Sequence, residues 1–277
     1  MDFRKHLVVE PGSKVHLSKL DPGYHGEIES KKAGEAELEK VLGRITPLQE
    51  QLYAEKKHAL LVVLQGIDAA GKDGVCWHVI TAMNPQGTYV ASFKQPTLTE
   101  QLHDFLWRVH ARTPALGQVA VFNRSHYEDV LVARVHNLVP EKVWSKRYHQ
   151  INMFEEYLSE NGVAIVKFFL YISKDEQLDR FEKRLEDKER QWKISASDYA
   201  ERERWDAYIE AYEAMLSNCS TKHAPWYVLP ANHKWFRNLA AANIILETLE
   251  GMNITTPKPT VDIDDIYRKY HHAVRNS

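Results

Sequence analysis

Short apolar runs alternate along this chain with longer stretches in which apolar residues recur at three- and four-residue steps. Runs at residues 59–65, 88–93, 119–122, 163–172 and 225–229 predict buried strands. The stretches between them predict helices. Val75, Val79, Ile80 and Met83 share one helical face, and Leu102, Phe105, Leu106 and Val109 share another, in a helix capped by Thr97 and Glu100 that runs to about Arg112. Pro140 opens the next, with Val143, Trp144, Tyr148, Ile151 and Phe154 apolar, and Asn161-Gly162 closes it. Ser173 and Glu176 form a capping box for a charged helix running towards Glu189, a further helix begins near Asp198, and the last covers residues 233–250 and stops at Gly251. Ahead of the first strand, Leu38, Val41, Leu42, Ile45, Leu48 and Leu52 predict an amphipathic helix or helix pair, which Pro47 should kink or divide.

Strands that alternate with helices need crossover connections, so the expected fold is α/β: a parallel sheet of about five strands with helices on both faces. With 277 residues, 44% of them hydrophobic, the chain suits one large domain with appendages. Residues 1–57 read as an extended arm, punctuated by Pro11, Gly12, Pro22, Gly23 and Gly26, followed by the amphipathic helices. Residues 58–251 form the core. Residues 252–277, with Pro257 and Pro259, read as a mobile or partner-bound tail.

The first strand runs into GIDAAGKDG, where Gly66, Gly71 and Lys72 fit the G-x-x-x-x-G-K half of a phosphate-binding loop. Backbone N–H groups and a helix N-terminus would face an anion there, and the lysine adds a point charge. Nucleotide-binding loops of the usual kind follow the lysine with Ser or Thr, whose hydroxyl ligates Mg²⁺; this chain has Asp73 and then Gly74. Asp68, inside the loop, would repel phosphate unless a cation lay between them, so it is the natural replacement for the hydroxyl as metal anchor. The alternative is a plain glycine-containing turn with an acid near a helix start.

The third strand ends in Asn123-Arg124-Ser125-His126-Tyr127-Glu128-Asp129. Ligands bind at the carboxyl ends of parallel strands, so this cluster should emerge beside the loop. Asp129 is the expected second metal ligand, and Arg124 suits bidentate contact with a phosphoryl group, unless it simply pairs with Glu128 one turn on. Asn84, Phe93, Asn123 and Glu128 are the candidates for a nucleoside pocket, with Phe93 equally suited to the core. Arg180, Arg184 and Lys188 recur at four-residue intervals, with Arg190 and Lys193 beyond them. This stripe is either a lid for an anion or a face neutralised by Asp179, Glu182, Glu186, Asp187 and Glu189.

A net charge of −2 and a pI near 6.7 argue against a general nucleic-acid binder. The two cysteines, Cys76 and Cys219, make no disulfide framework, and no segment approaches a membrane span. A cytoplasmic protein is expected. The fourteen histidines show no zinc spacing and read as ordinary surface or core residues.

GIDAAGKDG, FNRSHYEDVLVARVHNLVP, KFFLYISKDEQ, Trp192-Lys193 and APWYVLPANHKWFRN together closely resemble family-2 polyphosphate kinases, particularly the class III members that act on AMP and ADP. The similarity runs from about Val8 to Gly251 and leaves the tail outside. It implies a thymidylate-kinase-like P-loop fold with a helical lid over about residues 180–204. It also implies Mg²⁺-dependent, reversible phosphoryl transfer from inorganic polyphosphate to AMP and ADP, with Mn²⁺ as the alternative ion. The phosphate loop would comprise Gly66, Ala69, Ala70, Gly71, Lys72, Asp73 and Gly74, with Asp68 as the metal-associated acid and Lys72 as the phosphate lysine. Asp129 matches the Walker B acid and Arg124 the neighbouring phosphate arginine. Arg184, Arg190 and Lys193 match the basic lid, with Lys188 at a variable position in it. The family further implies homo-oligomers. Retention of only some of these residues would have pointed to a silent polyphosphate-binding protein, and an ATP-dependent nucleotide kinase is disfavoured by the missing Ser or Thr.

Overall fold

The five predicted strands are β1 (Ala59–Gln65), β2 (Thr88–Ser92), β3 (Val119–Asn123), β4 (Val163–Tyr171) and β5 (Trp226–Pro230), all parallel in the order β2-β3-β1-β4-β5. The structure is a computed structural model in which residues 1–276 are described. β1 is buried along its whole length, and its alternate residues point to opposite faces. Leu60, Val62 and Leu64 enter one core; Leu61 and Val63 enter the other. Register aligns Leu64 with Asn123 of β3 and with Phe168 of β4, so the carboxyl ends of the three central strands lie together.

Helices α2 (Lys31–Glu55), α3 (Lys72–His78) and α11 (Lys234–Gly251) supply apolar residues to the first core. Helices α7 (Glu141–Glu160) and α10 (Trp205–Cys219) supply the second, on the opposite face. Between these lie α4 (Leu98–Gln101), α5 (Trp107–His110), α6 (Val132–Val135), α8 (Lys174–Glu186) and α9 (Ala196–Glu203). The arm opens with α1 (Phe3–Leu7), and the chain closes with α12 (Ile263–Arg275).

Several expectations are corrected. Pro47 does not divide α2, which runs unbroken from its Ser30 cap while Val41, Ile45 and Leu52 are buried in the core. The helix expected to reach Arg112 is two single turns, because the Asp104 carboxylate accepts from the Leu106 N–H at 2.9 Å and competes with the helical ladder. Leu102 is consequently 86% exposed. At Ser173 only half of the capping box forms: Ser173 Oγ accepts from Glu176 N, but Glu176 turns to Arg180 Nε at 2.6 Å. The extended arm is pinned to the body, with Val9 N donating to Trp226 O at 2.8 Å along the β5 edge and Leu17 fully buried. The tail contains α12, whose Ile263, Ile266, Tyr267 and Tyr270 are exposed; Ser277 lies outside the described residues. No described helix is long and apolar enough to cross a membrane.

A buried polar network ties β4 to the segment that follows β3. Lys167 Nζ, on β4, donates to Glu155 Oε2 at 2.5 Å, to Tyr127 OH at 2.8 Å and to Cys219 O at 2.6 Å. Glu155 Oε1 also accepts from Tyr127 OH at 2.8 Å and lies 3.1 Å from His126 Nε2. Burial alone would raise the Glu155 pKa, but Lys167 and His126 outweigh it and hold the carboxyl below its ordinary 4.5. Because the folded value is depressed, this stabilisation is complete above the ordinary value and is lost as pH falls through the folded one. Lys167→Met strands a buried carboxylate and should cost about 3–5 kcal/mol in denaturant unfolding at neutral pH. A loss within a few tenths of a kcal/mol, roughly the range of a neutral surface change, would show that the pair does not hold the two elements together.

Candidate functional site

The chain leaves the sheet at Gly66, where a Cβ would sit 2.8 Å from Leu170 O; only glycine lets the turn pass so close to β4. Residues 66–71 then curl into α3, and Gly71 at φ +106° is its N-cap. Two non-glycine residues here also have left-handed backbone, Ala69 at φ 64° and Arg124 at φ 61°. Both are held by side-chain contacts. Arg180 Nη1 donates to Ala69 O at 2.8 Å and Ala70 O at 3.0 Å, while Arg124 Nη2 donates to Asp68 Oδ1 at 2.9 Å.

Lys72 folds back over the loop, donating to Gly66 O and, at 3.4 Å, to Ile67 O. Burial lowers its pKa, with Asp68, Glu128 and Asp73 opposing and Arg124 adding to the fall. Glu128 lies 3.9 Å from Arg124 Nη1 and is pushed up by burial, against the pull of Arg124 and Lys72. Burial would lower Arg124, yet Glu128 and Asp68 raise it. Lys72, Arg124, Asp68 and Glu128 therefore form one electrostatic group, with Asp73 at its edge, where it accepts from Asn123 Nδ2 at 2.8 Å.

Asp129 is not part of that group. Arg147 Nη1 donates to both its carboxylate and its carbonyl, each at 2.9 Å, and its charged neighbours are Arg147, Arg108 and His126. The acid placed beside Asp68, Lys72 and Arg124 is Glu128, one residue earlier. Among the described residues no three metal-ligating side chains cluster. Mg²⁺ characteristically takes one or two carboxylates and completes its shell with water and phosphate oxygens, so half-buried Asp68 still fits that role.

Of the nucleoside candidates, Asn84 lies away from the loop, while Phe93, whose N–H donates to Asn123 O at 3.3 Å, turns its ring into the core. Asn84 precedes β2 and packs on Gln49 of α2, at the end of the sheet opposite the loop. Phe93 is 6% exposed and stacks edge-on against Phe122 in the core. Of the basic stripe, Arg180 is the member on the loop. Arg190 pairs with Asp187 at 3.0 Å, Arg184 reaches Lys193 O at 3.4 Å, and Lys188 and Lys193 are exposed, Lys193 lying over the Trp192 ring. α9 is tied back to the body by Glu201, which accepts from Tyr208 OH at 2.6 Å and meets His136 Nε2 at 2.9 Å.

Other neighbours were not legible in the chain. Gln177 Nε2 donates to Asp68 O at 3.0 Å, and Gln65 Nε2 to Ser125 Oγ at 3.0 Å. Tyr212 feels Glu128 and Asp68 from α10, although burial is the main cause of its raised pKa. The helical spacing of Tyr208 and Tyr212 marked an apolar face and carried no sign of the loop they approach.

A glycine loop between the central strand and a helix, with a lysine and an arginine converging on two acids, defines a phosphate-binding α/β protein. Residues 28–257 match the polyphosphate kinase 2 (PPK2) family. Over 256 residues the chain is 49% identical to the AMP/ADP-polyphosphate phosphotransferase of Meiothermus ruber, covering 92% of this chain and 96% of that protein. It is 44% identical to the ADP-polyphosphate phosphotransferase of Rhodopseudomonas palustris, covering 92% and 93%. The crystal structure of polyphosphate kinase 2 from Arthrobacter aurescens TC1 superposes with a TM-score of 0.93 at 41% identity, over 100% of this chain and 98% of that one. The chain belongs to the polyphosphate kinase 2 family.

Since burial raises Glu128, a step that needs its carboxylate should fail on acidification at a pH above the ordinary glutamate value of 4.5. The acid limb of the kcat/KM profile should shift in Glu128→Gln. An identical limb in that variant would place the controlling ionisation on another group.

Proposed function

We propose that this protein is a kinase that transfers the terminal phosphoryl group of inorganic polyphosphate to AMP and ADP, giving ADP and ATP, in a reaction that runs both ways. The observation that carries the reading is the convergence of Lys72 and Arg124 on a glycine loop that holds Asp68 where other loops rely on a hydroxyl. The relative named for both acceptors, at 49% identity over nearly the whole chain, supports the acceptor range.

Phosphoryl transfer is mostly positioning and charge neutralisation. Lys72 and the loop N–H groups receive the phosphate chain, and Arg124 releases part of its hold on Asp68 to take a phosphoryl oxygen in a bidentate grip. Asp68 would hold a divalent cation, Mg²⁺ with Mn²⁺ as the alternative, whose charge would screen the donor and acceptor phosphates from one another. Asp129 would have to give up Arg147 to contribute as well. The acceptor is itself a phosphate oxygen of low pKa, so no side chain need remove a hydroxyl proton. Arg184, Lys188, Arg190 and Lys193, in a lid over about residues 180–204, close on the chain, and residues 58–251 act as the catalytic body. Asn123 and Glu128 serve as acceptor-side contacts in this reading, which assigns no such role to Asn84 or Phe93. The assembly is a homo-oligomer working in the cytoplasm, with no nucleic-acid or membrane partner.

A second reading restricts the enzyme to one acceptor, as the Rhodopseudomonas palustris relative's name describes for ADP. Purified protein with Mg²⁺, long-chain polyphosphate and AMP, without ATP, should yield ADP and then ATP by chromatography, and Asp68→Asn should lose activity by at least about a hundredfold. Conversion of ADP but not AMP would establish the restricted acceptor. Turnover only with ATP as donor would overturn the polyphosphate reading, and polyphosphate binding without any product would make this a silent binding protein.

A further inference from the structure

Among the described residues, no acid balances a buried guanidinium that lies beneath the phosphate loop. Arg237, in the first turn of α11, is 2% exposed. It donates to Asn238 Oδ1 from Nε at 3.1 Å and from Nη2 at 2.8 Å, and to Ala70 O from Nη1 at 3.3 Å. The charged groups coupled to it are further cations, Arg180, which donates to the same Ala70 carbonyl, and Lys234, earlier on α11. Burial, with Arg180 adding to it, pulls Arg237 down to about 9, so it is still a cation at neutral pH. An ion taken out of water without a partner is costly, and a fold rarely keeps one without use.

The loop is shaped around this side chain. A Cβ on Gly71 would lie 1.8 Å from Arg237 Nη1, and one on Gly74 would lie 2.6 Å from Nη2. Gly71 has the further need of its positive φ, but Gly74 sits in ordinary helix and is small on account of Arg237. Both glycines flanking Lys72 and Asp73 thus make room for one guanidinium from the far end of the chain. Because C=O and N–H point opposite ways across a trans peptide, engaging Ala70 O from beneath turns the Gly71 N–H away from both arginines.

We propose that Arg237 is a positioning residue for the phosphate donor: it braces the loop from beneath, and the bound polyanion acts as the counter-ion its buried charge lacks. The inference rests on the loop being the polyphosphate site. The donor, carrying many charges, should depend on Arg237 far more than the acceptor does.

Arg237→Met and Arg237→Lys test this in the full chain, with circular dichroism and thermal unfolding as checks of folding. In Arg237→Met the KM for polyphosphate should rise about tenfold or more, with the KM for AMP unchanged. The rise in melting temperature caused by tripolyphosphate, which needs no turnover, should shrink in parallel. Arg237→Lys should recover part of both. Gly74→Ala should weaken the donor in the wild type and add little to Arg237→Met, since the methyl then meets no guanidinium. A folded Arg237→Met with the wild-type KM and melting shift overturns the proposal, as does Arg237→Lys behaving no better than Arg237→Met, or Gly74→Ala adding in full. If the wild type turns over AMP with polyphosphate and only the Arg237 effects are missing, the loop assignment stands and the inference falls. If the wild type shows neither turnover nor a melting shift, both fall.

Discussion

Cations crowding a single turn of backbone are the constraint around which this molecule is arranged. Lys72, Arg180 and Arg237 all donate to carbonyls of residues 66–70, and Arg124 reaches the side chain of Asp68 in the same turn. Like charges at such range repel; Asp68 and Glu128, with Asp73 at the edge, face Lys72 and Arg124, which leaves Arg237 without an acid of its own among the described residues. Glu176 pairs with Arg180. What remains is a preorganised demand for negative charge, which the phosphate chain of the proposed reaction would meet. A loop held by its carbonyls leaves N–H groups such as that of Gly71 for a ligand, although the Ala70 N–H is spent on Ile67 O at 3.0 Å.

The rest of the fold keeps those four side chains at fixed distances. The aligned ends of β1, β3 and β4 set Lys72 and Arg124 side by side. Arg180 comes from α8, which begins immediately after β4, and Arg237 from α11, which follows β5. The buried set of Lys167, Glu155, Tyr127 and His126 fixes the turn that carries Glu128 relative to the sheet. Four of the five strands, β1, β3, β4 and β5, therefore contribute position, and the candidate site lies where the strands stop.

The sheet and the loop were legible because continuous apolar runs and a spaced G-x-x-x-x-G-K leave direct marks on the chain. Arg124 and Asp68 were legible for the same reason: both follow a predicted strand. Asp129 and Glu128 were harder, because a turn of 3-10 helix over His126–Asp129 sends adjacent residues in different directions, and no periodicity tells which one faces the loop. Asn84 carried no mark of which end of its strand it would occupy. Arg237 carries no mark of its own in the sequence, standing in a helix among apolar neighbours. Its trace was Gly74, a glycine in helix that the loop motif did not require. α12 was read as tail because prolines precede it, and its apolar stripe became visible only once the helix was formed.

Amide hydrogen exchange of residues 66–74, with and without long-chain polyphosphate and Mg²⁺, tests the central claim most directly. Polyphosphate should slow exchange across this loop, together with the segment carrying Arg124 and the first turn of α11. Unchanged exchange in the loop, with protection appearing elsewhere on the protein, would contradict the account.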